Sequence, residues 1–241
     1  MKNKLNKPVG ELVMQDSRAV DIFYKYGIDF CCGGKQTLQS VCDRKRIDPL
    51  MVLEEIEFQN RFYLTASKDI TLSELVDHII NTHHDYVIES FPTLHLMAQK
   101  IADKHGDRVL EIHELNYLLY EFEADLHQDM KKEEKVLFPY IKLLEKHLNL
   151  GLVAPVVSFG SVNSPIKVMI QEHEEVAIYL EKIRNLALLI SGYDNPCATM
   201  TLFIQKLDEF EKNMMVHMHL ENNILFQAVM ELEYQVRKEK I

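Results

Sequence analysis

Glycine and proline are scarce in this chain, at eight and seven among 241 residues. That scarcity argues against a turn-rich β fold and predicts long, uninterrupted helices. No run of about 18 apolar residues occurs, which argues against a membrane span. Cysteine is limited to four residues, two of them the neighbours Cys31 and Cys32. Adjacent cysteines cannot bond to each other without a strained ring, so thiol or metal chemistry is expected in place of a disulfide framework. An excess of positive charge is missing as well. The formal net charge of −10 repels phosphate, so neither nucleic acid nor an anionic membrane is an expected partner. The opening MKNKLNKPVGELV carries positive charge but lacks the apolar stretch of a secretion signal, and a cytoplasmic protein is expected.

What is present is an ordinary globular composition, 47% hydrophobic and 27% charged, sufficient for a sizeable core. Residues 1–62 read as a small unit of short helices. Leu12, Ala19, Ile22, Phe23 and Tyr26 fall at helical spacing and Gly27 reads as a stop. GIDFCCGGKQTL follows, with Gly33 and Gly34 forcing a turn directly after the cysteines. Asp48 and Pro49 open the next helix. A polar joint near residues 60–70 leads to a second unit, 70–235. There Thr71 and Glu74 form a capping box, and a first long helix runs to about residue 104 with Pro92 as an expected kink. A second helix covers 107–148. A loop-like stretch, 151–165, precedes a third helix opened by Ser164 and Pro165, and Asn195 and Pro196 open a fourth. Four long helices with short connections predict an all-α antiparallel four-helix bundle beside a small N-terminal helical domain.

Within the bundle the chain repeats itself. DMKKEEKVLFP at 129–139 and HMHLENNILFQ at 217–227 align as Glu-x-x-(Val/Ile)-Leu-Phe, Glu133 against Glu221. The preceding helices match too, with His84 in THHDY and His173 in QEHEEV. Two copies of one helical hairpin would therefore bring His84, Glu133, His173, His217 and Glu221 to one level. Residues i and i+4 share a helix face roughly 6 Å apart, which suits side chains converging on metal. Buried carboxylates require a cation, and imidazoles with two bridging carboxylates favour non-haem iron, or manganese, over structural zinc. Four residues before Glu133 the repeat predicts a histidine, yet Asp129 stands there, giving an oxygen-richer ligand set. His127 lies about 120° around the helix from Glu133 and is expected to face solvent. His105, by helix length, falls at a different level. His78, His83, His95, His113, His147 and His219 have no counterpart in the repeat and read as structural. Cys42 and Cys197 are expected to be structural as well.

On GIDFCCGGKQTL, KKEEKVLFPYI, EHEE, NPCATM and HMHLENNILF the chain resembles the iron-sulfur cluster repair di-iron proteins, the repair of iron centres family. The resemblance covers nearly the whole chain. It implies a Cys-Cys domain joined to a hemerythrin-like bundle, with two non-haem iron ions, oxo- or hydroxo-bridged, and often a homodimer. The implied ligands are His84, Glu133, His173, His217 and Glu221, with Asp129 at the sixth position where the family has histidine. The implied role is repair of iron-sulfur clusters damaged by oxidative or nitrosative stress, by iron donation or by nitric oxide reduction. Damaged iron-sulfur proteins and nitric oxide or oxygen are then the partners. Cys31 and Cys32 are expected to accept or pass on iron, or to react with nitric oxide. The alternative is a hemerythrin-like protein that only binds oxygen or senses nitric oxide; the cysteine domain argues for repair, because a carrier has no need of it.

Overall fold

A computed structural model describes residues 2–16, 19–60 and 70–238. Most of the joint expected near residues 60–70, namely 61–69, lies outside the described residues. The described chain is helical and contains no strand, as the scarcity of glycine and proline predicts. No helix among the described residues is long and apolar enough to cross a membrane.

The chain divides into two compact units. The first comprises Met1–Thr71 with Met215–Ala228, the second Leu72–Met214 with Val229–Ile241. In the first, α1 (Lys2–Leu5), α2 (Val9–Gln15), α3 (Ala19–Lys25), α4 (Leu38–Lys45) and α5 (Pro49–Asn60) follow one another. The helical pattern read over residues 9–26 is interrupted at Asp16, whose backbone is extended (φ −153°, ψ 98°). At the end of α3 the amide of Ile28 donates to Phe23 O (2.8 Å) and that of Gly27 to Tyr24 O (2.9 Å). Gly27 sits at φ +59°, where a side chain would strain the backbone, so it stops the helix as its sequence position suggested. Phe23, Phe30, Leu38, Leu53 and Cys42 form the core of this unit, and Met215 packs into it.

The second unit carries the long helices. A first arm combines α6 (Leu72–Ile79), a π turn (Ile80–His84) and α7 (Asp85–His105). A second combines α8 (Glu111–Lys132), a π turn (Glu133–Leu137) and α9 (Phe138–Asn149). The third is α10 (Asn163–Ser191). A continuous helix made of α11 (Ala198–His219), a π turn (Leu220–Leu225) and α12 (Phe226–Lys238) completes the chain. In the second unit α8 packs against α7 and α10, and α6 against α9. Phe91, Phe122 and Phe210 meet edge to face with centroids 5.2–6.2 Å apart, all but fully buried. Glu145 of α9 accepts from the amides of Leu72 (2.8 Å) and Ser73 (3.1 Å), satisfying donors that begin a helix and have no partner of their own. Behind the loop that ends near residue 162, Glu233 accepts from Tyr140 Oη (2.5 Å), Ser161 Oγ (2.6 Å) and the Val162 amide (3.1 Å).

Candidate metal centre

The repeated motif has a structural meaning that its spacing alone did not disclose. The amide of Phe138 bonds to Glu133 O, and that of Phe226 to Glu221 O, each five residues back. The Glu and the Phe of Glu-x-x-(Val/Ile)-Leu-Phe are therefore the two ends of a π turn. The first arm repeats the device, with the Asp85 amide on Ile80 O and His84 inside the turn. Such single turns cost regular helix geometry and concentrate at functional sites. Here they aim donors inward while the following phenylalanine, Phe138 or Phe226, returns to the core.

His84, Glu133, His217 and Glu221 each offer one donor atom, and these atoms all lie within 4.8 Å of one another. Each of the four is at most 3% exposed. Individual separations are short: His84 Nε2 to Glu133 Oε2 is 3.4 Å and His217 Nε2 to Glu221 Oε1 is 3.2 Å. His173 Nε2 approaches Glu133 Oε1 to 3.6 Å and is also buried. His84 Nδ1 lies 2.7 Å from Glu134 Oε1. Donation from Nδ1–H to that carboxylate fixes the tautomer and leaves the Nε2 lone pair facing Glu133. Phe138 stacks on the same imidazole at 5.7 Å. Glu134 is a participant that sequence reasoning passed over, although its place beside Glu133 was a usable signal.

The donor set fits a metal ion by its chemistry. Two carboxylates removed from water need compensating positive charge, and imidazole nitrogens beside carboxylate oxygens suit iron or manganese. Asp129 is placed differently. Its Oδ1 is 2.9 Å from Lys132 Nζ, and the same ammonium is 2.5 Å from Glu172 Oε1. These groups, with Asp125 and Glu175, line a cleft of about 180 Å³ between α8 and α10. His127 is exposed, as its helix position predicts. His83 is buried with Nδ1 3.1 Å from Asn213 Oδ1, and His95 Nε2 meets Glu123 Oε2 at 2.8 Å.

In the first unit the cysteines sit on a turn built around Asp29. Its Oδ1 accepts from the amides of Cys31 and Cys32, both at 3.0 Å, and its Oδ2 from that of Gly33 at 2.9 Å. A Cβ on Gly34 would stand 2.6 Å from Asn223 Oδ1 and 2.7 Å from Phe30 O, so only glycine fits. The helical stretch bearing His217 and Glu221 also grips this turn: Asn223 Nδ2 donates to Cys31 O (3.0 Å), and His219 Nδ1 lies 3.1 Å from Phe30 O. Asn222 Nδ2 lies 3.9 Å from Cys32 Sγ. The two sulfurs are 4.0 Å apart and neither is in a disulfide. The hydrogen bond with Cys32, then burial, then the Cys32 and Asp29 charges push the Cys31 thiol well above its ordinary range. Since only the thiolate alkylates, iodoacetamide at pH 8 should label the half-buried Cys32 and Cys197 about tenfold faster than Cys31. Peptide mass spectrometry over time checks this, and equal labelling of Cys31 and Cys32 would contradict the protected state.

Comparison with known proteins gives two family matches. Residues 5–59 match ScdA_N, described as a domain of unknown function (DUF542). Residues 75–229 match the hemerythrin HHE cation binding domain. The chain is 34% identical over 224 residues to the iron-sulfur cluster repair protein YtfE of Enterobacter sp. (strain 638), covering 92% of this chain and 95% of that protein. The proteins of the same name from Escherichia coli O8 (strain IAI1) and Shigella boydii serotype 4 (strain Sb227) are similar to the same extent.

Proposed function

This chain belongs to the hemerythrin HHE cation-binding family and to the YtfE-type iron-sulfur cluster repair proteins, and on that premise we propose that it holds two non-haem iron ions and repairs iron-sulfur clusters damaged by oxidative or nitrosative stress. The observation that carries the reading is the buried group His84, Glu133, His217 and Glu221, with donor atoms within 4.8 Å. Glu133 and Glu221 would supply carboxylate oxygens to the metal, and His84, His173 and His217 imidazole nitrogens. Bound iron supplies a redox-active Lewis acid able to take nitric oxide or oxygen and to yield an iron ion as cargo.

The chain's own residues do the rest. Glu134 holds the His84 ring in the tautomer that can ligate. Burial of all four donors excludes water and keeps the electrostatic attraction for a cation strong. The Asp29 turn presents Cys31 and Cys32, soft donors suited to accept an iron ion or react with nitric oxide. Asn222, Asn223 and His219 link that turn to the helical stretch carrying Glu221. A change in the position of this stretch on metal binding would reach the thiols through those contacts.

Anaerobic loading with ferrous iron tests the reading. About two equivalents offered should give a Mössbauer signature of coupled iron, and the loaded protein should pass iron to an apo-ferredoxin supplied with inorganic sulfide, in a Cys31- and Cys32-dependent manner. Protein that retains no iron, or that gives none to the ferredoxin, would defeat the proposal.

A further inference from the structure

We infer that Lys132 is the residue that withholds Asp129 from the metal centre, so that the two metal positions of this chain are unequal. The inference rests on the metal reading above and adds to it a residue that sets how many ions are held firmly. In the repeat Asp129 occupies the place of His217, four residues before the motif Glu. His217 joins the buried donor group and Asp129 does not. Lys132 Nζ instead bridges Asp129 Oδ1 (2.9 Å) and Glu172 Oε1 (2.5 Å) across α8 and α10.

The arrangement has a direct electrostatic consequence. Lys132 immediately precedes Glu133, and Glu172 immediately precedes His173, so the ammonium stands one residue from a donor on each helix. An ammonium here does part of a metal ion's work by neutralising two carboxylates. For Asp129 to ligate, it must leave that ammonium, and the arriving ion must tolerate a like charge nearby. The Asp129 side chain is 17% exposed and that of Lys132 37%, so water screens the pair only in part. A histidine at 129 would not be diverted in this way, because a neutral imidazole gains little from the ammonium. Lys132 is thus a positioning residue. It leaves the better-buried position, served by Glu133, Glu221 and the imidazoles, to fill first and tightly.

Metal stoichiometry reads this without reference to activity. The full-length protein is loaded anaerobically with ferrous iron, passed over a weak chelating resin, and analysed for iron per chain. The unaltered protein and Lys132→Arg are expected to keep about one equivalent, and Lys132→Met about two, with second-site affinity about 10- to 100-fold higher. Lys132→Gln gives the same reading should methionine impair folding, which circular dichroism monitors. Two equivalents firmly held by the unaltered protein would overturn the inference alone. So would one equivalent in both neutral variants while Asp129→His holds two, since the lysine would then not be the obstacle. Absence of iron from every protein would instead remove the metal reading itself, and this inference with it.

Discussion

Glu221→Gln is expected to stabilise the metal-free protein and to abolish its stabilisation by iron. Glu221 is 0% exposed and its donor oxygen lies within 4.8 Å of one from Glu133. Without metal, two carboxylates have left water with imidazoles beside them, a cost that removing one charge relieves by about 1–2 kcal/mol. With metal the sign reverses. A ligand present at about a thousand times its dissociation constant stabilises by about 4 kcal/mol. For a protein of this size that is about 10 °C in melting temperature. Calorimetry should therefore show the unaltered protein losing about 10 °C on chelation, while the variant is indifferent to the chelator. Metal-free, the variant should melt above the unaltered protein. A variant that still gains stability from iron as the unaltered protein does would mean Glu221 is not a ligand.

The second large effect lies in the second unit, at Glu233. Its carboxylate is 3% exposed and holds together Tyr140, Ser161, the Val162 amide and Arg237. Burial alone would push the carboxyl up, but Ser161, Tyr140, the Val162 amide and Arg237 outweigh it and hold it below its usual range. A lowered folded value means the contribution is present above the unfolded carboxylate range and lost as pH falls through the folded value. Tyr140 marks the other edge. Burial first, then the Glu233 hydrogen bond, pushes its phenol up to about 12, so that contribution is complete below the ordinary tyrosine range and lost as pH rises toward that value. Glu233→Gln should cost about 2–3 kcal/mol at pH 7, since hydrogen bonds to a charged acceptor are lost or turned to face another donor. Urea unfolding from pH 7 to pH 3 should show the two proteins converging in the acid limb. A difference that stays constant with pH would show that the Glu233 charge does not hold this corner.

Much of this was legible because the same physical pressures act on sequence and structure. The rarity of glycine and proline foretold uninterrupted helices, and Gly27 ended α3 at positive φ as its position after an apolar stripe implied. The duplication pointed to Glu133, Glu221, His84 and His217 because surface residues have no reason to recur at matched offsets. Other features were hidden for definable reasons. The π turns follow from hydrogen bonds five residues apart, and a reading at 3.6 residues per turn has no register for them. Glu145 capping α6 and Lys132 bridging α8 to α10 depend on which helices become neighbours. Asp129 could be read as an irregular repeat position, but its ammonium partner across to Glu172 could not.

The π turns also bear on how this chain tolerates gain and loss of residues. Each amounts to one residue inserted into an α-helix. Deleting one outward-facing position between Glu133 and Phe138, Lys135 or Val136, would return that turn to regular winding with Phe138 still one turn from Glu133, because four residues of α-helix turn about as far as five of a π turn. A deletion of the same size in the regular winding of α8 would instead rotate everything beyond it by about 100°. These segments are thus where the helix can lose a residue and keep its register, at the expense of the local bulge that sets how Glu133 enters the centre.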